Sequence, residues 1–126
     1  MLFPGNRIDR KMTINQERGC KKEIRDRFDL TLECIRRHYS STGSPLTDVL
    51  ARYAQFLALF RDFRGYVEFF LLQDLVSEDF STVRISKPFD DFTGSPIPAS
   101  VPEYNAYKHA SIAFVEARNQ RILASA

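Results

Sequence analysis

The stretch FRGYVEFFLLQDLV, residues 63–76, decides the fold of this chain. Between residues 66 and 76 the polar side chains are Glu68, Gln73 and Asp74. A helix that is apolar on nearly all sides lies either in a protein core or in a membrane. About 18 apolar residues are needed to span a bilayer, and this stretch is shorter and carries acidic side chains. We therefore predict a central helix over residues 66–76, surrounded by other elements.

Two further helices are predicted before the central one. Over residues 21–39 apolar side chains recur with the helical period, and these are Ile24, Phe28, Leu32, Ile35 and Tyr39. The next helix begins at Ser44 and Pro45, because serine is a good N-cap and proline is favoured at the first helical position. Its apolar stripe continues to Phe60, and a short break then leads into the central helix.

A last helix is predicted after Ser100, which forms a capping box with Glu103. One of its faces is apolar and consists of Tyr104, Tyr107, Phe114, Val115 and Ile122. Arg118 lies on the same face, and a buried charge without a partner is costly. We therefore predict that Arg118 reaches a carboxylate. The candidates are Glu68, Asp74, Asp90 and Asp91.

The remaining segments have no helical pattern. Residues 1–16 are either an irregular arm or a small hairpin, and a short strand over residues 82–86 has only that region as a candidate partner. Residues 87–101 contain three prolines and a glycine, which indicates a packed loop without regular structure. The predicted fold is a mainly α single domain over residues 1–126. It is a four-helix irregular or orthogonal bundle with at most one two-stranded ribbon.

Composition excludes several classes of protein. A chain of 126 residues with 44% hydrophobic residues forms one domain with a real core. A net charge of +2 is too small to indicate nucleic acid or a membrane by itself. The N-terminus has no apolar segment of a signal peptide, so we expect a cytoplasmic protein whose two cysteines are free thiols.

Few residue patterns point to chemistry. The sequence has no nucleophile elbow, phosphate loop, zinc-protease or kinase signature. Cys20, Cys34, His38 and His109 match no compact zinc motif, so we predict no metal and no cofactor. Two hypotheses stay open for the charged groups. The candidates for binding a phosphate are Asn15, Arg18 and Lys22, which lie before and at the start of the helix predicted over residues 21–39. Glu68 with Arg118 is either a catalytic acid with its partner or a structural ion pair.

Four long strings together resemble a known family. They are FPGNRID at 3–9, DRFDLTLECIRRHY at 26–39, DFRGYVEFFLLQDLV at 62–76 and FVEARNQRI at 114–122. The chain resembles the C-terminal part of an uncharacterised family of actinobacterial cytoplasmic proteins, a domain of unknown function. The resemblance implies no activity and no catalytic residue. It also implies that longer members carry an additional N-terminal region, and that a chain lacking this cover exposes apolar surface.

The hypothesis that these observations favour is a non-enzymatic protein-interaction module. It binds a protein partner or a second copy of itself, and it is a candidate inhibitor carried by a mobile element. The alternative hypothesis is an enzyme or enzyme fragment that acts on a phosphate-bearing or nucleic-acid substrate. The sequence gives no reason to expect membrane association.

Overall fold

The computed structural model describes residues 1–85 and 92–125. In that part of the chain the protein is mainly helical, as predicted, and it contains no strand longer than a single bridge, between Val76 and Val83. The helices are α1 (Ile14–Cys20), α2 (Phe28–Tyr39), α3 (Thr47–Arg52), α4 (Ala54–Ala58), α5 (Phe63–Phe70) and α6 (Val101–Ser125), with a 3₁₀ turn at Gln73–Leu75. None of these helices is long and apolar enough to cross a membrane.

The N-terminal residues form an arm that leads into α1. Thr13 caps α1: its hydroxyl accepts from the Gln16 backbone at 3.3 Å, and the Gln16 side chain accepts from the Thr13 backbone at 3.0 Å. The hairpin considered for residues 1–16 is therefore not formed. The bridge partner of Val83 is Val76, and not the N-terminal region that the sequence favoured.

The predicted helix over residues 21–39 begins later than expected, at Phe28. The preceding residues form turns, in which Arg25 and Asp26 have φ angles of 47° and 63°. Ile24 is nevertheless fully buried, as its place in the predicted apolar stripe required. The turn therefore keeps the buried side chain while it redirects the backbone.

The predicted helix after Ser44 is divided at Tyr53 into α3 and α4. The hydroxyl of Tyr53 donates to the carbonyl of Asn6 at 2.6 Å and so attaches the N-terminal arm to the bundle. The apolar stripe of this region is buried as expected at Leu46, Val49 and Leu57. The interruption thus changes the path of the helix without removing its packing.

The central helix is shorter than predicted, because α5 ends at Phe70 and not at residue 76. Leu71 adopts the left-handed conformation with φ 57°, and the N–H of Leu72 donates to the carbonyl of Val67 at 2.9 Å. This six-to-one bond is typical of a Schellman motif that ends a helix. Leu72 and Leu75 are still buried beyond the break. The end of the stretch therefore packs in the core as predicted, although it does not continue α5.

The corner between α4 and α5 depends on Gly65. A Cβ atom at this position would lie 1.9 Å from the carbonyl oxygen of Phe60. The close approach of two backbones is a place where only glycine fits. Asp62 caps α5 at the same corner, where its carboxylate accepts from the Gly65 N–H at 2.8 Å.

Helix α6 lies on the surface of the bundle. Its predicted capping box is present in part, with the Glu103 N–H donating to the Ser100 hydroxyl at 3.3 Å. Phe28 of α2 holds the helix in place by ring contacts with Phe114 at 5.2 Å and Tyr107 at 6.2 Å. All 25 residues of α6 are described and none of them is buried, so much of the predicted apolar face is exposed.

Candidate functional site

An apolar groove lies between the N-terminal arm and the corner formed by α4 and α5. Its volume is about 560 Å³, which falls within the usual range for ligand sites of roughly 300–1,000 Å³. We refer to it as the aromatic groove. It is lined by Leu2, Phe3, Pro4, Phe56, Leu59, Phe60, Phe69 and Phe70.

A network of rings forms the floor of the aromatic groove. Phe60 is at its centre, with ring centroids of Phe56, Tyr66, Phe69 and Phe70 at 5.3, 5.2, 5.1 and 5.3 Å. Aromatic pairs at such distances contribute about 0.5–1.5 kcal/mol beyond their burial. Tyr66 is fully buried, so the network connects the groove to the core and holds its floor rigid.

The upper part of the groove is exposed to solvent. Phe69 is 70% exposed, whereas the adjacent Phe70 is only 7% exposed. Leu2 and Leu59 are exposed even more than Phe69. A single exposed apolar side chain needs no explanation, but a contiguous apolar patch around a concave surface typically marks an interaction site.

The groove keeps its shape because both of its walls are attached to the bundle. The arm is held by the bond from Tyr53 to the Asn6 carbonyl and by Arg52, whose guanidinium donates to the Met12 carbonyl at 2.9 Å. The opposite wall is the corner that Gly65 makes possible. Both walls are therefore positioned by contacts that lie outside the groove itself.

A buried ion pair that sequence reasoning missed lies on the other side of the bundle. The Nε of Arg27 donates to Asp29 at 3.0 Å, and a second bond from the Arg27 guanidinium makes the pair bidentate. The same carboxylate accepts from the Leu30 N–H at 2.9 Å, within the first turn of α2. Arg27 and Asp29 are 4% and 2% exposed, and the guanidinium lies 4.8 Å from the ring centroid of Tyr107. Arg27 and Asp29 flank Phe28 in the sequence, but in a helix predicted from residue 21 this spacing gave no signal for the contact.

A smaller cavity of about 300 Å³ lies beside this pair, between α2 and α6. Its lining includes two acids, but both are bound to arginines: Asp29 to Arg27, and Asp74 to Arg121 at 2.6 Å. Burial raises the pKa of Tyr107, which also lines the cavity. Ion-paired carboxylates and a protonated phenol are poor general bases, so the arrangement supports packing of α6 better than catalysis.

The predicted phosphate-binding residues lie in and around α1. The guanidinium of Arg18 is bound within the chain, to the Thr31 hydroxyl at 3.0 Å and to Asp26 at 3.1 Å. Asn15 is exposed in the first turn of α1, and Lys22 is exposed two residues after the end of this helix. A phosphate would have to compete with Asp26 for the guanidinium of Arg18.

The predicted partner of Arg118 is also different. Its Nε and Nη2 donate to the carbonyl of Phe70 at 3.1 and 3.0 Å, and not to Glu68 or Asp74. Glu68 instead binds Arg64 at 2.8 Å, on the surface of α5. Helix ends leave carbonyls without partners and carry partial negative charge, which explains why the end of α5 attracts the guanidinium. The other candidates, Asp90 and Asp91, lie outside the described residues.

The cysteines and histidines lie in different environments. Cys34 is buried, which raises the pKa of its thiol to about 12, whereas Cys20 is exposed. Burial lowers the pKa of His38, and His109 lies on the exposed surface of α6. In residues 1–85 and 92–125 no group of three or more potential ligands is arranged to hold a metal ion.

Comparison with known proteins identifies a family but no activity. The sequence model of a family described as Family of unknown function (DUF6994) matches residues 1–122. The matched region includes the aromatic groove and the Arg27–Asp29 pair. No curated protein and no solved structure matches the chain.

Proposed function

Since the chain belongs to the Family of unknown function (DUF6994), whose description assigns no activity, we propose a function from the geometry of the aromatic groove. The protein is a non-enzymatic protein-interaction module, and the groove binds an apolar segment of a partner protein. The observation that supports this proposal is the exposure of Phe69 and Leu59 around a concave surface of about 560 Å³.

The energetic argument concerns the exposed apolar surface. Apolar surface removed from water contributes about 25 cal/mol per Å². In the isolated chain this contribution is not obtained at Phe69, although the next residue, Phe70, is almost completely buried. A partner that covers the groove would bury this surface and obtain its free energy. Aromatic side chains at the centre of an interface are frequent hot spots.

The rigidity of the groove also favours binding. Association is weakened by the free energy needed to order side chains at the interface. In the aromatic groove Phe60 and Phe70 are already fixed by ring contacts and burial. A partner segment therefore meets a surface that needs little reorganisation.

The lining residues indicate the chemistry of the partner. All eight lining residues are apolar, so the side chains that enter the groove are apolar and recognition depends on shape. An amphipathic helix presents such side chains at i, i+3 or i+4, and i+7. We expect a helical segment with at least two large apolar side chains on one face.

A display library of random peptides tests the proposal. The wild-type chain is used for selection, and Phe69→Ser is used for counter-selection, after circular dichroism has shown that the variant is folded. We expect enriched peptides with apolar residues at helical spacing, and affinities at least about tenfold weaker for Phe69→Ser, because a central aromatic contact contributes more than about 1.4 kcal/mol.

The matched control is Tyr104→Ser, which removes an aromatic side chain of α6 that is 55% exposed. This variant should bind the selected peptides as the wild type does. Failure to enrich apolar peptides, or equal weakening by Tyr104→Ser and Phe69→Ser, would contradict the proposal. Binding of small apolar molecules with no peptide enrichment would assign the groove to a different ligand class.

A further inference from the structure

Helix α6 has a second face whose side chains stay exposed in the described part of the chain. One face packs on the bundle through Tyr107, Phe114 and Arg118. Another face is exposed along the whole helix, and we call it the outer seam. Its seven residues, all exposed, are Val101, Asn105, Lys108, Ile112, Glu116, Asn119 and Leu123.

The spacing of the outer seam is symmetric about Ile112. Successive seam residues are 4, 3, 4, 4, 3 and 4 positions apart, which reads the same in both directions. Steps of three and four residues keep side chains on one side of a helix, as in the seam of a coiled coil, although the two adjacent steps of four at Ile112 depart from a strict heptad. A helix with such a seam can meet an antiparallel copy of itself in register.

The residue types of the outer seam are also complementary in that register. We propose that the chain forms an antiparallel homodimer through α6, with a two-fold axis at Ile112. Ile112 then meets the partner's Ile112, and Val101 meets the partner's Leu123. Asn105 meets the partner's Asn119, so that an amide faces an amide. Lys108 meets the partner's Glu116, so that two opposite charges face each other twice by symmetry.

The charges of the outer seam also favour the antiparallel orientation of the two helices. In a parallel pair Lys108 would face Lys108 and Glu116 would face Glu116, and like charges in close contact are destabilising. The antiparallel pair replaces both repulsions by attractions. Charge complementarity therefore points to a second copy of this chain as the occupant of the seam, and to one direction for it.

The dimer is expected to be weak. A helix of 25 residues is about 37 Å long at 1.5 Å per residue, and only three of the seven seam residues are apolar. An interface of this size belongs with the small, transient class, below about 1,200 Å² in total. A reversible, concentration-dependent monomer–dimer equilibrium should result. It is independent of the aromatic groove and of the function proposed for that groove.

Charge reversal in sedimentation velocity tests the pairing. Lys108→Glu and Glu116→Lys should each weaken the dimer at least about tenfold, because two symmetric attractions become repulsions. The double variant should restore the wild-type dissociation constant within about threefold. Lys11→Glu is the matched control for Lys108→Glu, since it makes the same change of net charge at an exposed residue of the arm and should have no effect.

Cysteine cross-linking tests the register in a Cys20→Ser background. Ile112→Cys should form a disulfide between copies under mild oxidation. Val101→Cys should not form one by itself, but it should do so when mixed with Leu123→Cys. A chain that remains monomeric at high concentration would overturn the proposal. So would a dimer that is insensitive to charge reversal, one that cross-links Val101→Cys to itself, or one that is lost in Phe69→Ser.

Discussion

Two adjacent phenylalanines of α5 provide a sharp test of the groove geometry. Phe69→Ala and Phe70→Ala remove the same number of atoms from neighbouring positions of one helix. The structure assigns the two rings different roles, because Phe69 is 70% exposed and Phe70 is 7% exposed. We therefore expect very different effects on the free energy of unfolding.

The magnitudes follow from burial. Replacing a buried phenylalanine by alanine costs about 3–5 kcal/mol, and Phe70→Ala should approach that range. Scaling the same range by the buried fraction of Phe69 gives a loss of about 1–1.5 kcal/mol. The predicted difference between the two variants is therefore about 2–3 kcal/mol, which exceeds the error of a denaturation experiment.

Urea unfolding followed by far-UV circular dichroism measures both values. The midpoint should fall much further for Phe70→Ala than for Phe69→Ala, with similar slopes for both. Equal losses, or a larger loss for Phe69→Ala, would mean that Phe69 is packed in solution. In that case the groove is not open, and the reasoning that makes it a binding site fails.

Three further predictions concern stability. Asp29→Ala leaves the buried guanidinium of Arg27 without this carboxylate and should reduce the free energy of unfolding by about 3–5 kcal/mol. Glu68→Ala breaks an exposed pair and should reduce it by less than about 1 kcal/mol. Urea unfolding of both variants measures the two losses. Gly65→Ala should cost more than about 2 kcal/mol because its Cβ meets a backbone carbonyl at 1.9 Å, and a neutral result in thermal unfolding would refute the close approach. The contribution of Cys34 to stability, measured as the difference between the wild type and Cys34→Ala, should be constant below the ordinary thiol pKa of 9.0 and fall as the pH rises towards 12. Burial raises the pKa of this thiol to about 12, so the folded state keeps a proton that the unfolded state loses. A difference that increases over this range would contradict the burial of the thiol.

Local sequence signals predicted helices in the regions of α2 to α6 and the start of α6. The capping residues Ser100 and Glu103 placed the start of α6, and the apolar period placed Ile24 and Leu32 in the core. These features depend on contacts between residues a few positions apart. The extent of the domain, by contrast, stays a prediction.

The helix breaks were not predictable because they depend on distant packing. Leu71 and Tyr53 are ordinary helix-compatible residues, and nothing in the local sequence marks them as ends. Leu71 takes the left-handed conformation at the end of α5, where Leu72 then packs into the core. Tyr53 interrupts its helix where its hydroxyl meets the arm, 47 residues away.

The candidate site was missed for a related reason. An apolar run at the centre of a bundle predicts burial for each of its aromatic residues, and for Phe69 this prediction is wrong. Its exposure follows from the early end of α5 and from the position of the arm, which are both tertiary features. The Arg27–Asp29 pair was missed because residues two positions apart are not neighbours on a helix, and the contact forms only where the helix begins.

The most direct test of the central claim locates a selected peptide on the protein by intermolecular nuclear Overhauser effects. If the aromatic groove is the binding surface, the apolar side chains of the peptide should show contacts to the rings of Phe69 and Phe60 and to Leu59. Contacts confined to α6 or to the cavity beside Asp29, with none to Phe69, would contradict it.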